Sequence, residues 1–431
     1  MKHQQNFKFI NWAKNIRQKA ANYFQPENET ELIDVVSNHN KIRVIGTGHS
    51  WSDICVTEHT LINLDFYNNI LEIDKINKTV KVQAGIKLWH LNNLLDKEGL
   101  ALQNLGSISE QSLAGAISTG THGSGITFQC LASQIMEFSL IKADGTKVII
   151  NKTKDVELFN ASVISIGCLG VISEITLQVT DAFNLHEYTT TMPFGEAIEK
   201  IDELLQTNHH LKLWWLPPSN NIVVFKYRRT QDKINDSKFR QFFQDRLLSV
   251  LGYRLLVLIG RIKNSWIVAI NKYLTNQMHG PIDRIEKSYK VFNVPAPPLH
   301  RETEWTFDIK NVKEMLKAYK ELIINSPYHL TFIQEIRFTK ADDFWLSPCY
   351  KRDAIWLGLY NYDFHKWKEI LPFYQAFAKE YNGRPHWGKE FIMDKNYLQQ
   401  QYEKIETFKK IKNDFDPTKK FENKFAEELF G

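Results

Sequence analysis

The segment 384–389, with the sequence Arg-Pro-His-Trp-Gly-Lys, brings three cationic or titratable side chains close together. The proline and the glycine in it exclude a regular helix or a central strand, and a solvated turn would not need Trp387. A lysine close to other cations can lose its proton easily enough to take part in acid–base chemistry. His386 and Lys389 are therefore candidate site residues, and Lys389 is the candidate proton-handling group.

A second pair of charges, Glu335 and Arg337, lies in an otherwise apolar stretch that is typical of a strand. Successive side chains of a strand point to opposite faces, so these two share one face and Ile336 takes the other. Charges among apolar strand residues are costly unless they are partnered. On the sequence alone, an internal salt bridge and a polar floor to a substrate pocket explain the pair equally well.

The segment Gly46–Ser50 (Gly-Thr-Gly-His-Ser) directly follows a short apolar strand. A dinucleotide-binding fingerprint would need a third glycine at position 51, where Trp51 stands, and a helix after it. Consecutive backbone N–H groups at a Gly-x-Gly turn nevertheless suit a pyrophosphate. His49 and Ser50 would then point at whatever lies beyond the phosphates.

Residues 113–125 form another glycine-rich stretch, with four glycines, several hydroxyl side chains and a histidine. Glycines let the backbone approach a large ligand closely, while N–H and hydroxyl groups donate to it. One glycine-rich loop is usually only a turn. Two such loops, each with a histidine and hydroxyl groups, favour a nucleotide cofactor.

The elements that must hold these residues are, in the first 180 residues, many short strands and few helices. Turn residues at 75–78 and at 144–145 each separate two apolar or alternating runs, which predicts two β-hairpins. Leucines recur at helical spacing over 88–95, before a stop at Gly99. The pattern predicts an α+β fold with antiparallel pairs rather than a βαβ series.

The second half of the chain predicts longer helices between its strands. We expect strands over 211–216, 222–227, 330–338 and 355–360, helices over 310–324 and 365–381, and a basic, apolar helical stretch over roughly 238–275. A domain boundary is expected near residue 180. The tail from 400 to 431 is expected to pack back on the first domain.

Composition excludes several classes of protein. A net charge of +5, from 54 Lys and Arg against 49 Asp and Glu in 431 residues, is too mild to indicate a nucleic-acid-binding protein. The four cysteines lie far apart without zinc-ligand spacing, so no metal is expected. No apolar run approaches the roughly 20 residues of a spanning helix, and the start lacks a secretory apolar core. A cytoplasmic protein is expected.

Together these motifs resemble the aldonolactone oxidoreductases of the vanillyl-alcohol-oxidase type of flavoproteins. The resemblance covers nearly the whole chain and is weakest over roughly 185–300. The matching blocks are Gly46–Asp53, Leu100–Ser109, Ala114–Gly125, Gly167–Ile172, Glu335–Asp343, Leu346–Cys349, Arg352–Asp353, Arg384–Lys389, and Asp416–Pro417 with Phe421 and Asn423. Each block alone is weakly specific, whereas their order and spacing together are highly specific.

The resemblance implies the domain organisation and the cofactor. It implies an α+β fold with an FAD-binding domain of two α+β subdomains over residues 1–180. A substrate-binding α+β cap domain with an antiparallel sheet is expected over 181–399, and a C-terminal segment over 400–431 that packs back on the FAD domain. The cofactor is expected to be FAD, linked covalently through His49 to the 8α-methyl of the flavin.

The resemblance also implies the site residues. Lys389, Arg337 and Glu335 are expected to be catalytic, and substrate is expected to bind these three with Ser107, Tyr360 and His386. The expected FAD-binding residues are His49, Gly46, Thr47, Gly48, Ser50, Gly106, Ser107, Gly115, Ser118, Thr119, Gly120, Thr121, His122, Gly123, Ile172 and Asn423. Lys389 would accept a proton or stabilise an alkoxide, Arg337 would stabilise developing negative charge, and Glu335 would hold Arg337 and bind a neighbouring hydroxyl.

The activity implied by the resemblance is oxidation of a sugar-acid 1,4-lactone by hydride transfer to the flavin, with reoxidation by molecular oxygen to H2O2. An alditol oxidase on the same fold and a lactone dehydrogenase with another electron acceptor are the alternatives. Alditol oxidases carry a His-x-Thr pair where this chain has Gly358 and Tyr360, which argues against an open-chain polyol. Gly106, without a Cβ beside the expected flavin, favours oxygen.

A flavin-binding protein without turnover is a third alternative for the function, and the intact Glu335, Arg337 and Lys389 argue against it.

The basic, apolar stretch 240–274 suits either the core of the cap domain or a membrane surface. The expected partners are a sugar lactone or polyol, molecular oxygen and no nucleic acid. We also expect weak, salt-sensitive membrane association through 240–274.

Overall fold

The computed structural model describes residues 1–235, 258, 265–277, 282–294, 299–328, 330, 333–362 and 366–431. In this part of the chain four β-sheets form, with helices packed on them. Most of the stretch 240–274, predicted to be a basic and apolar helix, lies outside the described residues. Its last part belongs to a helix over Ser265–Gln277.

The first sheet has four strands in the order β1-β2-β4-β3. They are β1 (Lys2–Ile10), β2 (Arg17–Gln25), β3 (Ile42–Ile45) and β4 (Thr60–Asn63), with helix α1 (Glu29–Asn38) between β2 and β3. β1 and β2 form an antiparallel hairpin, but β4 runs parallel to both β2 and β3. The expectation of antiparallel pairs is confirmed for β1 and β2 and is wrong for the two pairs of β4. Helix α1 between β2 and β3 lets the chain cross over and re-enter the sheet in the same direction, which allows parallel pairing.

The second sheet is antiparallel, in the order β5-β6-β10-β8-β9. Its strands, with the separate pair of β7 and β11, are β5 (Ile70–Asp74), β6 (Thr79–Gln83), β7 (Leu100–Ala101), β8 (Ile135–Ile141), β9 (Lys147–Asn151), β10 (Val171–Gln178) and β11 (Thr180–Asp181). The helices among them are α2 (Leu88–Lys97), α3 (Leu113–Ser118) and α4 (Val156–Ser162). Both predicted hairpins are confirmed, since β5 pairs with β6 and β8 pairs with β9.

The third sheet has eight antiparallel strands in the order β15-β12-β14-β13-β17-β18-β16-β19. They are β12 (Asn184–Pro193), β13 (His210–Trp215), β14 (Asn221–Thr230), β15 (Asp283–Lys287), β16 (Arg301–Asp308), β17 (Gln334–Thr339), β18 (Ala354–Asn361) and β19 (Arg384–Pro385). The accompanying helices are α5 (Phe194–Glu199), α6 (Ile201–Thr207), α7 (Ser265–Gln277), α8 (Ser288–Phe292), α9 (Val312–Ile324) and α10 (Trp367–Glu380). The strand predicted from residue 330 begins at Gln334, and β19 forms where no regular element was expected.

The two faces of the eight-stranded sheet differ in chemistry, because side chains alternate along each strand. One face packs against α5, α6, α9 and α10 in an apolar core that includes Leu213, Trp215, Ile336 and Leu357. The intervening positions carry charged and aromatic side chains that are also buried: Lys212, Glu302, Glu304, Glu335, Arg337 and Trp356. We call this second side of the sheet the charged face.

The C-terminal segment, with helices α11 (Lys395–Gln401), α12 (Ile405–Phe415) and α13 (Lys424–Phe430), packs on the first half of the chain. Arg43 donates to the carbonyl of Phe421 at 2.6 Å. Asn423 Nδ2 donates to the carbonyls of Asp53 at 3.1 Å and Val56 at 2.9 Å. These contacts lie where the tail was expected to pack, whereas the domain limits at residues 180 and 400 stay predictions.

The predicted α+β class, with an antiparallel sheet in the second half of the chain, is confirmed. Three short 3₁₀ helices complete the described elements, at Asp53–Cys55, Leu131–Gln134 and Ile309–Asn311. Of the helices that the structure describes, none has both the length and the apolar character needed to cross a membrane.

Candidate active site

A cleft lies among residues of the first two sheets and of the loops that follow their strands. The predicted FAD-binding residues that line it are Gly46, Thr47, Gly48, His49, Ser50, Gly115, Ser118, Thr119 and Ile172. The structure therefore brings the two glycine-rich segments of the sequence to one cleft.

Glycines allow the turn after β3 to approach the start of α3. A Cβ on Gly46 would lie 2.0 Å from Ser112 Oγ, which real side chains do not tolerate. Gly48 has a φ of +71°, a conformation that glycine adopts without strain. Both positions thus form a wall of the cleft that larger residues would disrupt.

Arg43 brings positive charge to the same cleft. Its guanidinium donates to the backbone carbonyls of Ile54, Ile166, Gly167 and Phe421. Over the described part of the chain, its Nε finds no hydrogen-bond acceptor. Carbonyls do not neutralise a charge, so a cation beside glycine turns fits the anionic diphosphate of FAD.

His49 lies at this cleft with its ring stacked on Trp12, the ring centroids 5.7 Å apart. Burial and the positive charge of Lys389 lower the pKa of His49 to about 4. The imidazole is therefore neutral above that pH, and one ring nitrogen keeps a lone pair.

Other predicted FAD-binding residues do not contribute to the cleft lining; they are Gly106, Ser107, Gly120, Thr121, His122, Gly123 and Asn423. A Cβ on Gly106 would lie 3.2 Å from the carbonyl oxygen of His122 and 3.3 Å from Thr121 Cγ2. The glycine thus lets the backbone at position 106 approach that of residues 121–122, and the preference for oxygen stays a prediction. Asn423 caps α13, because its Oδ1 accepts from Ala426 N at 3.1 Å.

Glu335 is the centre of a hydrogen-bonded network on the charged face. Its Oε1 accepts from Trp214 Nε1 at 2.8 Å and lies 3.8 Å from Lys212 Nζ. Its Oε2 accepts from Arg337 Nη2 at 2.7 Å and from the Tyr360 hydroxyl at 3.3 Å. Burial opposes ionisation, but Arg337 and Lys212 outweigh it and lower the pKa of Glu335. The internal salt bridge considered from the sequence is present, and both carboxylate oxygens are engaged.

Arg337 connects this network to the loops near the cleft. Its Nη2 donates to Ser107 Oγ at 2.6 Å, and its Nη1 donates to the carbonyl of His122 at 3.4 Å. Burial works against the charge, but Glu335 raises the pKa of Arg337, so the guanidinium stays a cation. Within the residues that the structure describes, Arg337 Nε is buried without a partner. One N–H of this fixed cation therefore has no acceptor among the described residues.

Lys389 forms an ion pair with a carboxylate from β16. Its Nζ lies 2.5 Å from Glu302 Oε2 and 4.2 Å from the centre of the Trp51 ring. Burial opposes ionisation of Glu302, but Lys389 and His300 outweigh it and lower the pKa of this carboxyl. The expectation that Lys389 is surrounded by cations is therefore wrong, because the fold brings β16 alongside the loop 386–390.

His122 pairs with the second carboxylate of β16, Glu304. Its Nδ1 lies 2.9 Å from the carbonyl of Gly123, which can only accept, so Nδ1 carries a proton. Its Nε2 faces Glu304 Oε1 at 3.5 Å, and His122 overcomes the effect of burial to lower the pKa of Glu304. The ring also stacks on Trp356, with centroids 3.6 Å apart. The geometry therefore places a histidine ring nitrogen against the carboxylate of Glu304.

His386 lies beside this pair, and one potential ligand atom from each of His122, Glu304 and His386 falls within 4.8 Å of the others. Its Nδ1 accepts from Gly388 N at 3.0 Å, so a neutral His386 carries its proton on Nε2. Burial lowers the pKa of His386 to about 3, which keeps it neutral. We therefore interpret the three residues as a hydrogen-bonding cluster, and the expected lack of a metal stays a prediction.

Tyr360 reaches Glu335 by lying along its own strand over Gly358. A Cβ on Gly358 would lie 2.5 Å from Tyr360 Cε2, since the two residues are neighbours on one face of β18. A side chain at position 358 and this placement of Tyr360 exclude each other. Gly358 and Tyr360, which replace the His-x-Thr pair of the alditol oxidases, therefore depend on each other.

Sequence reasoning missed several residues of the site, namely the buried Lys212, Glu302 and Glu304 and the half-buried Trp214. The signal was available, because residues 301–307 read Arg-Glu-Thr-Glu-Trp-Thr-Phe, with strand-forming residues between and after the acids. The alternation rule applied to Glu335 and Arg337 also places Glu302 and Glu304 on one face.

Known proteins are similar to this chain in both sequence and fold. The profile of the D-arabinono-1,4-lactone oxidase family matches residues 175–429, and that of an FAD binding domain matches residues 20–151. L-gulonolactone oxidase from Bos taurus is 30% identical over 433 residues, which cover 98% of each chain. L-gulono-1,4-lactone dehydrogenase from Mycobacterium tuberculosis is 28% identical over 411 residues, covering 94% of this chain and 95% of that protein.

A solved structure has the same fold as this chain. A variant of cholesterol oxidase from Brevibacterium sterolicum superposes with a TM-score of 0.83 at 15% identity, covering 100% of this chain and 98% of that one. The expectation of FAD is confirmed by the matched FAD binding domain. The covalent link through His49 stays a prediction.

The network around Glu335 predicts unequal effects of two substitutions on stability. Glu335→Ala leaves Arg337 without its carboxylate, and breaking a buried ion pair costs about 3–5 kcal/mol of unfolding free energy. Tyr360→Phe removes one hydroxyl and should cost about 1 kcal/mol. Denaturant unfolding of both variants measures the difference. Equal losses would show that Glu335 does not hold the network together.

Proposed function

The chain belongs to the D-arabinono-1,4-lactone oxidase family, and from this premise we propose that it oxidises a carbinol group of a sugar-acid 1,4-lactone, with FAD as the hydride acceptor and molecular oxygen as the final oxidant. The candidate substrates are L-gulono-, L-galactono- and D-arabinono-1,4-lactone, and the reduced oxygen leaves as H2O2. One relative is named a dehydrogenase, so the electron acceptor is part of the test.

Two cations, each held by its own carboxylate beside the FAD cleft, carry this proposal. Lys389 lies over Trp51, the residue after the cleft-lining turn Gly46–Ser50. Arg337 donates to the backbone of His122, close in sequence to the cleft-lining Thr119. A sugar lactone is uncharged and rich in oxygen, so fixed N–H donors suit its hydroxyl and carbonyl groups.

Bound FAD supplies the two-electron acceptor for the hydride of the carbinol carbon. In the proposed reaction Lys389 handles the hydroxyl proton, and the guanidinium of Arg337 stabilises negative charge on the substrate oxygen. Glu335 has both oxygens engaged, so its role is to fix Arg337. Ser107 accepts from Arg337 and Tyr360 donates to Glu335, which holds the guanidinium at a constant angle.

An open-chain polyol is the less supported substrate. The His-x-Thr pair of the alditol oxidases would need a side chain at position 358, and the ring of Tyr360 takes that space. A bulky phenol ring on the charged face suits a compact lactone ring better than an extended chain that needs more hydrogen-bond partners.

Anaerobic titration of the purified flavoprotein tests the proposed activity. We expect at least one of the three lactones to bleach the flavin absorbance and xylitol not to, with oxygen uptake and peroxide release once air is admitted. Bleaching by polyols alone would contradict the proposed substrate, and bleaching by none would indicate a flavin-binding protein.

Lys389→Met should keep the bound flavin and lose about 10²–10⁴-fold in kcat, the range of a general acid–base group.

We further propose that His49 is joined covalently to the flavin. Its place at the cleft and its neutral imidazole support the proposal, because only a nitrogen with a lone pair can add to the 8α-methyl.

Acid denaturation provides the test of this bond. Wild-type protein should keep yellow fluorescence on the polypeptide, His49→Ala should release it, and the matched variant His39→Ala, away from the cleft lining, should keep it. Release of all flavin from wild type would rule the bond out. Because the pKa of His49 is lowered to about 4, attachment to added FAD should proceed equally well at mildly acidic and neutral pH.

Weak, salt-sensitive membrane association is proposed for the region around α7. Asn271 and Thr275 of this helix are buried, and Asn271 Nδ2 donates to the carbonyl of Pro217 at 2.6 Å. The aromatic side chains of Trp266 and Tyr273 are instead 48% and 64% exposed. Exposed aromatic rings suit the headgroup region of a bilayer, and nearby basic residues add about 1 kcal/mol each on an anionic surface.

Co-sedimentation with anionic and with neutral liposomes measures this association. We expect binding to anionic vesicles at low salt, loss of binding at high salt, and weaker binding of a Trp266→Ala, Tyr273→Ala double variant. Protein that stays in the supernatant at low salt would contradict the proposal.

A further inference from the structure

We propose that Glu302 positions Lys389 and receives its proton, so that the pair of side chains, rather than the amine alone, takes up the proton of the substrate hydroxyl. The inference rests on the proposed lactone oxidation. It adds to that reaction a positioning residue from β16, outside every set of site residues expected from the sequence.

Glu302 and Lys389 are fixed to each other by side chains and by backbone. The Nζ and Oε2 atoms are 2.5 Å apart, and Glu302 is only 2% exposed. On either side of Lys389, Glu390 N donates to the carbonyl of Glu302 at 3.0 Å, and His386 N donates to that of Glu304 at 2.9 Å. The strand therefore holds the loop 386–390 at two points, and Lys389 has little freedom to leave the carboxylate.

An ammonium group has three N–H donors and no lone pair, so Lys389 as paired in the structure cannot accept a proton. Transfer of one of its protons to Glu302 Oε2 frees the lone pair. In that transfer one N–H bond of Lys389 breaks and the carboxyl O–H bond of Glu302 forms. The substrate O–H bond then breaks and a new N–H bond forms on Lys389, while bound FAD would take the carbinol hydride with its electron pair as the C=O bond forms. Lys389 ends as an ammonium, and Glu302 is a neutral carboxyl until its proton passes to solvent, because Lys389 and His300 favour its ionised form.

Other titratable groups face the pair from every neighbouring element. They are His49 from the turn after β3, His300 and Glu304 from β16 and the residue before it, Tyr360 from β18, and His386 from the loop itself. Glu304 is engaged by His122, and a neutral His386 has its Nδ1 lone pair taken by Gly388 N. In the described part of the chain, Glu302 alone places a carboxylate within ion-pair distance of Lys389 Nζ.

Variants of Glu302 and of its neighbour Glu390 separate this role from stabilisation by an ion pair. Glu390 follows Lys389 directly, is 8% exposed, and pairs with Arg301. Arg301 precedes Glu302 on β16 and so points to the other face of the strand. Glu302→Gln, Glu302→Asp and the matched control Glu390→Gln are compared as holoenzymes with L-gulono-1,4-lactone across neutral and alkaline pH.

Glu302→Gln should lower kcat at neutral pH by about 10²-fold, with KM within about threefold of wild type. Its kcat should rise by about tenfold per pH unit, because an amine without an acceptor must first lose its proton to solvent. Glu302→Asp should restore part of kcat and the flatter wild-type profile. Glu390→Gln should lower the melting temperature and leave the pH profile unchanged.

Acetylation of Lys389 by acetic anhydride, followed by mass spectrometry without substrate, gives a readout that does not depend on turnover. Only a neutral amine reacts with the anhydride. At neutral pH, Lys389 should therefore be acetylated about tenfold faster in Glu302→Gln than in wild type, and at the wild-type rate in Glu390→Gln. Wild-type kinetics together with wild-type acetylation in Glu302→Gln would overturn the proposal. If wild-type protein oxidises no lactone, the proposed function fails, while acetylation still decides whether Glu302 keeps Lys389 protonated.

Discussion

Buried charge has to be neutralised, and one face of the eight-stranded sheet carries three carboxylates that meet this requirement with three different basic side chains. The pairs are Glu335 with Arg337, Glu302 with Lys389, and Glu304 with His122. Each carboxylate would be costly alone in the protein interior. The partners come from β17, from the loop 386–390 and from the glycine-rich segment after α3, so neutralising this face draws these segments together.

Hydrogen bonds connect the charged face of the sheet to the FAD cleft. Trp51 N donates to the carbonyl of Gly388 at 2.8 Å, Ser52 Oγ donates to that of Trp387 at 2.5 Å, and Trp51 Nε1 donates to that of His300 at 3.0 Å. The turn that carries His49 is therefore bonded to the loop that carries Lys389. A reaction that passes hydride and proton in opposite directions needs such a constant distance between cofactor and proton acceptor.

Local patterns in the sequence were sufficient for much of the fold and for part of the site. The hairpin at 144–145 depends on one turn, and the shared face of Glu335 and Arg337 depends on the period of a strand, so both could be predicted. The hairpin of β1 and β2 was not predicted, because most of β1 is polar and exposed and its apolar alternation is limited to Phe7 and Phe9. In the fold these two rings pack with Ala20 of β2 against Ile45 and Leu61.

The pairing of charges across the site also could not be predicted from local sequence patterns. Lys389 was expected among cations because His386 and Arg384 are its sequence neighbours, but its nearest charge is Glu302 from a distant strand. A strand register and a loop conformation jointly create that contact, and neither follows from a window of sequence. The cleft-lining role of Gly46–Ser50, in contrast, could be predicted because a turn and its ligand contacts are local.

The central claim is that Lys389 and Arg337, each fixed by a carboxylate of the charged face, hold the lactone against the FAD cleft. A crystal structure of the enzyme with FAD and a bound 1,4-lactone measures this directly. The account predicts lactone oxygens within hydrogen-bond distance of Lys389 Nζ and of the Arg337 guanidinium, with Glu302 still paired to Lys389. A lactone bound away from both cations, or bound with Lys389 turned from Glu302, would contradict it.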